Sequence, residues 1–151
     1  MEYRSYFDTP IGGMYTQADE HGITAVHFVE RLAESRPNQH TLDAQQQLVE
    51  YFNGKRTEFD LPLRASGTPF QQRVWAALRE IPFGATTSYA DIASKIEQPN
   101  ASRAVGMANG RNPLTIVVPC HRVIGKSGKL TGYASGLQRK QWLLGHEQSI
   151  A

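Results

Sequence analysis

The sequence predicts an α+β chain of two small domains, strand-rich first and helical second. Three observations carry this. Residues 1–28 hold three short segments of strand character separated by turn clusters. Thr68, Ser88 and Ser135 each have a polar partner three residues on, which is how helices begin. Charge divides too: residues 1–64 carry six Lys/Arg and ten Asp/Glu, net −4, while residues 65–151 carry ten and four, net +6. Strands gathered before helices, rather than alternating with them, favour α+β over a parallel sheet. The boundary is placed at 64/65, giving domains 1–64 and 65–151, and a chain of this length buries a core without staples.

Tyr3 to Phe7, Met14 to Ala18 and Ile23 to Phe28 are the three strands. Thr9-Pro10-Ile11-Gly12-Gly13 and Asp19-Glu20-His21-Gly22 turn between them, so the sheet is an antiparallel meander. Thr41 is the expected cap of a helix whose apolar positions are Leu42, Leu48, Val49 and Phe52, with Gly54 ending it. Phe59 to Leu63 is an edge strand or a connector, since Pro62 excludes a central one. His21, His27 and His40 are scattered and read as ordinary surface or half-buried histidines.

The second part opens on Thr68-Pro69-Phe70-Gln71, a capping box with proline at the first helical position. Phe70, Val74 and Leu78 form its apolar stripe, and Ile81-Pro82-Phe83-Gly84 stops it. Ser88 and Asp91 open a short helix to Ile96. Asn100 is the expected cap of the next, Ala101 to Asn109, which Gly110 ends. Two short helices joined by a four-residue turn make a helix-turn-helix candidate. The second is slim, with Ala101, Ser102, Ala104, Gly106 and Ala108 around one long cation, Arg103. Such a helix can approach a DNA groove closely or pack tightly on a neighbouring helix. The net charge of this half points to a polyanion partner. A strand from Leu114 to Val118 follows, then a basic turn, Gly125 to Lys129, and a small-residue loop holding Tyr133. A last helix is expected from Leu137 to about His146, capped by Ser135 with Gln138 and burying Trp142, Leu143 and Leu144.

Ile116-Val117-Val118-Pro119-Cys120-His121-Arg122-Val123-Ile124 holds the only cysteine. A free cysteine often packs as a small hydrophobe. A buried strand, however, has little use for a Pro-Cys-His-Arg interruption, because proline cannot donate to a ladder. The stretch makes sense where a strand stops to present a thiol. A thiol reacts as the thiolate, and His121 is placed to act as base, directly or through water. Successive side chains of an extended chain point apart, so a sharp turn or a bridging water is required. A carboxylate orienting the imidazole would come from Glu80, Asp91, Glu97 or Glu147. One cysteine excludes an internal disulfide, and no Cys/His cluster has zinc spacing. The chain shows no leader and no apolar run long enough to span a membrane, so a reducing cytoplasm is expected.

Pro119-Cys120-His121-Arg122-Val123 resembles the signature of the O6-alkylguanine-DNA alkyltransferases, in the single-cysteine cytoplasmic form. The resemblance runs through the basic half: Ser88-Tyr89, Ala101-Ser102-Arg103-Ala104-Val105-Gly106, Asn112-Pro113, Gly132-Tyr133 and Trp142-Leu143-Leu144-Gly145-His146-Glu147, in that order. It implies a ribonuclease H-like first domain, which supports the second, and a winged helix-turn-helix second domain that binds DNA and transfers the alkyl group. It implies direct-reversal repair: the alkyl group of O6-alkylguanine, and of O4-methylthymine, moves from a flipped-out base in double-stranded DNA to Cys120. His121 would be the base through water, Glu147 its support, and Asn112 the turn bracing the site. Tyr89 would sit against the target phosphate and help rotate the nucleotide outward, Arg103 would fill the gap in the stack, and Tyr133 would donate a hydrogen bond to the flipped base or shield it. Ser102, Ala104, Gly106, Arg111 and Arg122 would complete the DNA contacts, through the minor groove. Ser135 stands where many relatives have glycine, adding a side chain at the pocket lip that disfavours bulky alkyl groups. No cofactor or metal is implied, and the protein would act as a monomer.

The alkyl thioether is stable, and no second cysteine, metal or cofactor motif is present to remove it, so one turnover per molecule is expected. Three other readings compete. A non-catalytic damage binder of the alkyltransferase-like kind lacks the cysteine that this chain retains. A DNA cytosine methyltransferase needs a Gly-rich cofactor fingerprint that this chain does not have. A plain helix-turn-helix regulator would keep Cys120 for structure alone.

Overall fold

Alternating side chains build the first sheet of the computed structural model, which describes residues 1–151. Strands β1 (Tyr3–Thr9), β2 (Gly12–Ala18) and β3 (Ile23–Val29) pair antiparallel in that order. Met14, Thr16 and Ala18 are fully buried on one face. On the other, Tyr6, Tyr15 and His27 line up across the strands, with ring centroids 5.5 and 5.7 Å apart. The Arg4 guanidinium lies 4.3 Å from the Tyr15 ring centre, capping this ladder.

Helix α1 (Gln39–Phe52) covers the buried face through Thr41, Ala44, Leu48, Tyr51 and Phe52. The cap is Asn38, not Thr41: Asn38 Oδ1 accepts from the Thr41 amide at 2.9 Å and Thr41 Oγ1 accepts from the Asn38 amide at 3.0 Å. Thr41 therefore sits inside the first turn, three residues past the cap. Of the four apolar positions, Leu48 and Phe52 are buried, while Leu42 and Val49 turn outward, 45% and 39% exposed.

The chain divides into two units, Met1–Ser66 with Pro113–Val117, and Gly67–Asn112 with Val118–Ala151. The return of residues 113–117 to the first unit is a feature that a division at 64/65 did not contain. There Val26 donates to Pro113 O at 2.8 Å and receives from the Thr115 amide at 3.1 Å. The expected strand from Leu114 to Val118 does not form. Leu114 makes one isolated bridge to Val26, and Ile116 then takes φ +73°. A β-branched residue in the left-handed region cannot continue an extended run, and holding it there costs on the order of 1–3 kcal/mol. Leu63 is likewise a single bridge, to Ile23, so Phe59–Leu63 is a connector.

In the second unit α2 (Pro69–Leu78) starts on the reciprocal Thr68–Gln71 box with Pro69 in its first turn. Trp75 Nε1 donates to the Ala108 carbonyl at 2.9 Å, tying α2 to the helix that follows the turn motif. A Cβ at Gly67 would stand 2.5 Å from the Trp75 ring, so that ring and glycine fit as a pair. Strand β4 (Thr87–Ser88) leads into α3 (Tyr89–Lys95), capped by Ser88 Oγ. Helix α4 (Ser102–Gly110) begins at Ala101 with no side-chain cap, so Asn100 does not serve as one. A 3-10 turn, Cys120–Arg122, runs into β5 (Val123–Ile124), which pairs parallel with β4.

The last helix, α5, spans Leu137–Ile150. Gly136 at φ +99° occupies its cap position, a backbone state suited to glycine, and Ser135 makes no cap bond. The helix continues past His146, so Glu147 lies within it. Its buried residues are Lys140, Leu143, Leu144 and Glu147, one face at helical spacing. Trp142, expected in the core, is half-buried and stacks on His146 with centroids 4.8 Å apart.

Candidate active site

Pro119 cannot extend a ladder, and immediately after it the chain coils into the 3-10 turn. In the turn His121 and Arg122, though adjacent, both reach one carboxylate. Glu147 Oε2 is 2.6 Å from His121 Nε2 and accepts from Arg122 Nη2 at 3.0 Å. Glu147 Oε1 accepts from Arg122 Nε at 2.7 Å. Arg122 Nη1 donates to the Ile81 carbonyl at 2.8 Å, and the guanidinium lies 5.6 Å from the Phe83 ring centre. His121 and Glu147 are fully buried.

Burial alone would raise the Glu147 carboxyl, but its hydrogen bonds and charge pairing with His121 and Arg122 outweigh that and hold it at about 2. An ionised carboxylate only accepts, so the proton between the two groups belongs to His121 Nε2. The lone pair of the neutral ring is then on Nδ1, a buried atom with no protein partner. Burial also pushes the imidazole below its ordinary value, against the upward pull of Glu147. The resting ring is neutral and basic at Nδ1.

The loop from Asn112 to Cys120 is closed by Asn112, whose Nδ2 donates to the Val118 carbonyl at 2.8 Å. The Cys120 amide donates to the same carbonyl at 2.8 Å, and Asn109 Nδ2 donates to Cys120 O at 3.4 Å. Burial pushes the Cys120 thiol up, while the Asn112 side chain and the Lys140 charge draw it down without cancelling the rise. The resting sulfur is a buried thiol that needs a base to react.

Lys140 is a buried neighbour of this site that the residue pattern did not disclose. Its Nζ donates to Val123 O at 2.6 Å, Thr131 O at 2.7 Å and Gly132 O at 3.4 Å. One buried ammonium thus joins β5 to the loop holding Tyr133. A signal existed: Lys140 stands three, four and seven residues before Leu143, Leu144 and Glu147, on their face. Burial lowers its pKa and the nearby Cys120 raises it.

Tyr133 Oη is buried without a protein partner, and burial first, then the nearby Cys120, pushes its pKa well up. The Tyr89 hydroxyl lies 3.2 Å from Thr131 Oγ1, and its ring packs over Gly106, where an added Cβ would be 3.7 Å away. Arg103, Ala104 and Arg111 are exposed, while Ser102, Gly106 and Ser135 are partly so. The Ser135 carbonyl accepts from Arg139 Nη1 at 3.2 Å. Arg122, expected among the DNA contacts, is 6% exposed and committed to Glu147 and Ile81, so it braces the interior instead.

The buried pair sets an acid limit on stability. Both folded-state pKa values are depressed, so each contribution is present above the unfolded value and lost as pH falls through the folded one. For Glu147 that window runs from the ordinary 4.5 down to about 2, a contribution on the order of 3 kcal/mol. His121 begins to act below 6.5, where the unfolded chain takes up a proton that the native ring resists. Urea midpoints at about pH 7, 5 and 3 are expected to fall in that order, and Glu147→Gln should flatten the lower step. A midpoint unchanged to about pH 3 contradicts this.

Residues 2–65 match the ribonuclease-like domain of the 6-O-methylguanine DNA methyltransferases, and residues 69–149 match the DNA binding domain of the same proteins. The chain is 47% identical over 154 residues to a methylated-DNA–protein-cysteine methyltransferase of Methanosarcina acetivorans, covering 97% of this chain and 99% of that one. It superposes on the crystal structure of the Mycobacterium tuberculosis O6-methylguanine methyltransferase with a TM-score of 0.91, 46% identity, and coverage of 100% of this chain and 95% of that one. A Mycobacterium tuberculosis protein crystallised in complex with DNA is similar as well, with a TM-score of 0.89, 47% identity, and coverage of 98% and 94%. With both halves matched and near-complete coverage of relatives, the chain belongs to the 6-O-methylguanine DNA methyltransferase family.

Proposed function

We infer that this protein is a methylated-DNA–protein-cysteine methyltransferase that repairs O6-alkylguanine by moving the alkyl group to Cys120. The observation that carries the reading is the buried chain of contacts from Arg122 through Glu147 to His121, beside the only cysteine. His121 Nδ1 takes the thiol proton through a water, and the imidazolium formed is stabilised by Glu147. The sulfur attacks the alkyl carbon, the carbon–O6 bond breaks, and its electron pair stays on the oxygen. Tyr133 Oη, buried and unpaired within the protein, donates to the developing oxyanion.

The lesion is buried in the duplex stack, so it must be rotated out, at a cost of about a few kcal/mol that is least for a badly paired base. O4-methylthymine presents the same alkyl–oxygen chemistry and is a second substrate. Helix α4 enters the minor groove, where Ser102, Ala104 and Gly106 keep it slim, Arg103 takes the vacated place in the stack, and Arg111 meets backbone. Tyr89 stands against the target phosphate. Asn112 braces the turn before the thiol. Ser135 narrows the pocket lip against bulky groups. One chain supplies every group, so a monomer suffices. A reducing cytoplasm keeps the thiol free, and no helix is long and apolar enough to cross a membrane.

The product is a stable thioether, so methyl transfer should stop at one equivalent. Titrating a methylated duplex against a fixed amount of protein checks this: repaired DNA should rise linearly and plateau at equimolarity. Accumulation beyond one equivalent overturns the stoichiometric reading.

A further inference from the structure

Helix α4 buries Val105, Ala108 and Asn109 and turns the opposite face outward. At the centre of that outer face is Met107, 61% exposed. Arg103 and Arg111 stand four residues before and after it, one helical turn away on either side and about 12 Å apart along the axis. No acidic residue occurs from Ala101 to Asn112. Beside Met107 is a shallow depression of about 190 Å³ whose apolar lining includes Phe70, Ala104 and Ala108, with Arg111 also bordering it.

A large apolar side chain between two guanidiniums, on an otherwise slim helix, needs a partner that is anionic at its edges and apolar between them. The minor groove of duplex DNA has that profile: phosphates along its rims, and sugar and base edges within. Minor-groove proteins commonly place apolar side chains there. The unbranched thioether of methionine adapts to an irregular wall better than a branched residue does.

We propose that Met107 is a DNA-contacting residue, packing against the sugar and base edges of the minor groove between Arg103 and Arg111. The proposal rests on the reading that α4 enters that groove. The contact is apolar and releases no counterions. It strengthens binding to any sequence without changing the salt dependence, and it takes no part in the chemistry at Cys120.

The test is fluorescence anisotropy of a labelled duplex across a salt series, with wild type, Met107→Ala, Met107→Leu and Arg111→Ala. Met107→Ala should bind about tenfold more weakly, the scale of losing a partly buried methionine contact. Its slope of log K against log salt should match wild type, and Met107→Leu should recover most of the affinity. Arg111→Ala should lower that slope by about one. Reaction of Cys120 with free O6-methylguanine should be unchanged in Met107→Ala, which shows that fold and thiol are intact. Wild-type affinity in Met107→Ala, or an altered slope, overturns the proposal. A wild-type protein that reacts with the free base but does not bind duplex overturns the DNA reading itself.

Discussion

Glu147→Gln is expected to slow methyl transfer by at least about a hundredfold, at the lower end of what a positioned general base contributes. The carboxylate has two tasks at once. It accepts from His121 Nε2 at 2.6 Å, fixing the ring with its lone pair at Nδ1, and it neutralises Arg122 through bonds at 2.7 and 3.0 Å. A glutamine keeps the shape, but its neutral oxygen stabilises an imidazolium poorly and its NH2 has no acceptor to face. It also leaves the Arg122 charge buried without compensation. Breaking such a pair from one side costs about 3–5 kcal/mol. Single-turnover rates on a methylated duplex measure the first effect and urea unfolding near neutral pH the second. A variant as fast as wild type would remove Glu147 from the mechanism. One equally stable would show that the pair carries no net folding energy.

Lys140→Met should act on stability and on the thiol together. The ammonium is the donor to the Val123 and Thr131 carbonyls and approaches that of Gly132. Methionine keeps the length and removes all donors, leaving buried acceptors unpaired at about 1–3 kcal/mol each before relaxation. A net loss of about 3 kcal/mol, or roughly 6–12 °C in Tm, is expected. The charge also draws the Cys120 pKa down, so its removal should shift the pH profile of Cys120 alkylation by iodoacetamide to higher pH. Part of the transfer rate lost near neutral pH should return in more alkaline buffer. An unshifted profile with the full stability loss would make Lys140 a purely structural tie.

What was legible from the residues follows from how local each signal is. Thr68 and Gln71 cap α2 because both partners lie within one turn, and the meander follows from alternation and turn residues in residues 1–28. Leu114 to Val118 misled because β-branched residues favour strands, while the φ of +73° at Ile116 is imposed by surroundings no pattern displays. Ser135 has a capping residue's chemistry, but Gly136 takes the cap position. The thiol and its histidine were visible as an interruption of an apolar run. The residues alone left four carboxylates open, and family resemblance singled out Glu147. The structure adds why that residue reaches: α5 runs through Ile150 and carries Glu147 on the face shared with Lys140 and Leu143. Arg122 is expected among the DNA contacts, and its burial shows only once Ile81 and Glu147 are placed around it. Lys140 was missed for the same reason, since lysine is almost never fully buried unless paired.

The proposed reaction ends with the group removed from DNA on Cys120. Protein incubated with a duplex carrying O6-methylguanine, digested, and mapped by mass spectrometry tests it directly. One added methyl is expected on the peptide containing Cys120, in amount equal to the base restored, and none in Cys120→Ala. Restored DNA with Cys120 unmodified, or methyl carried by another residue, would contradict it.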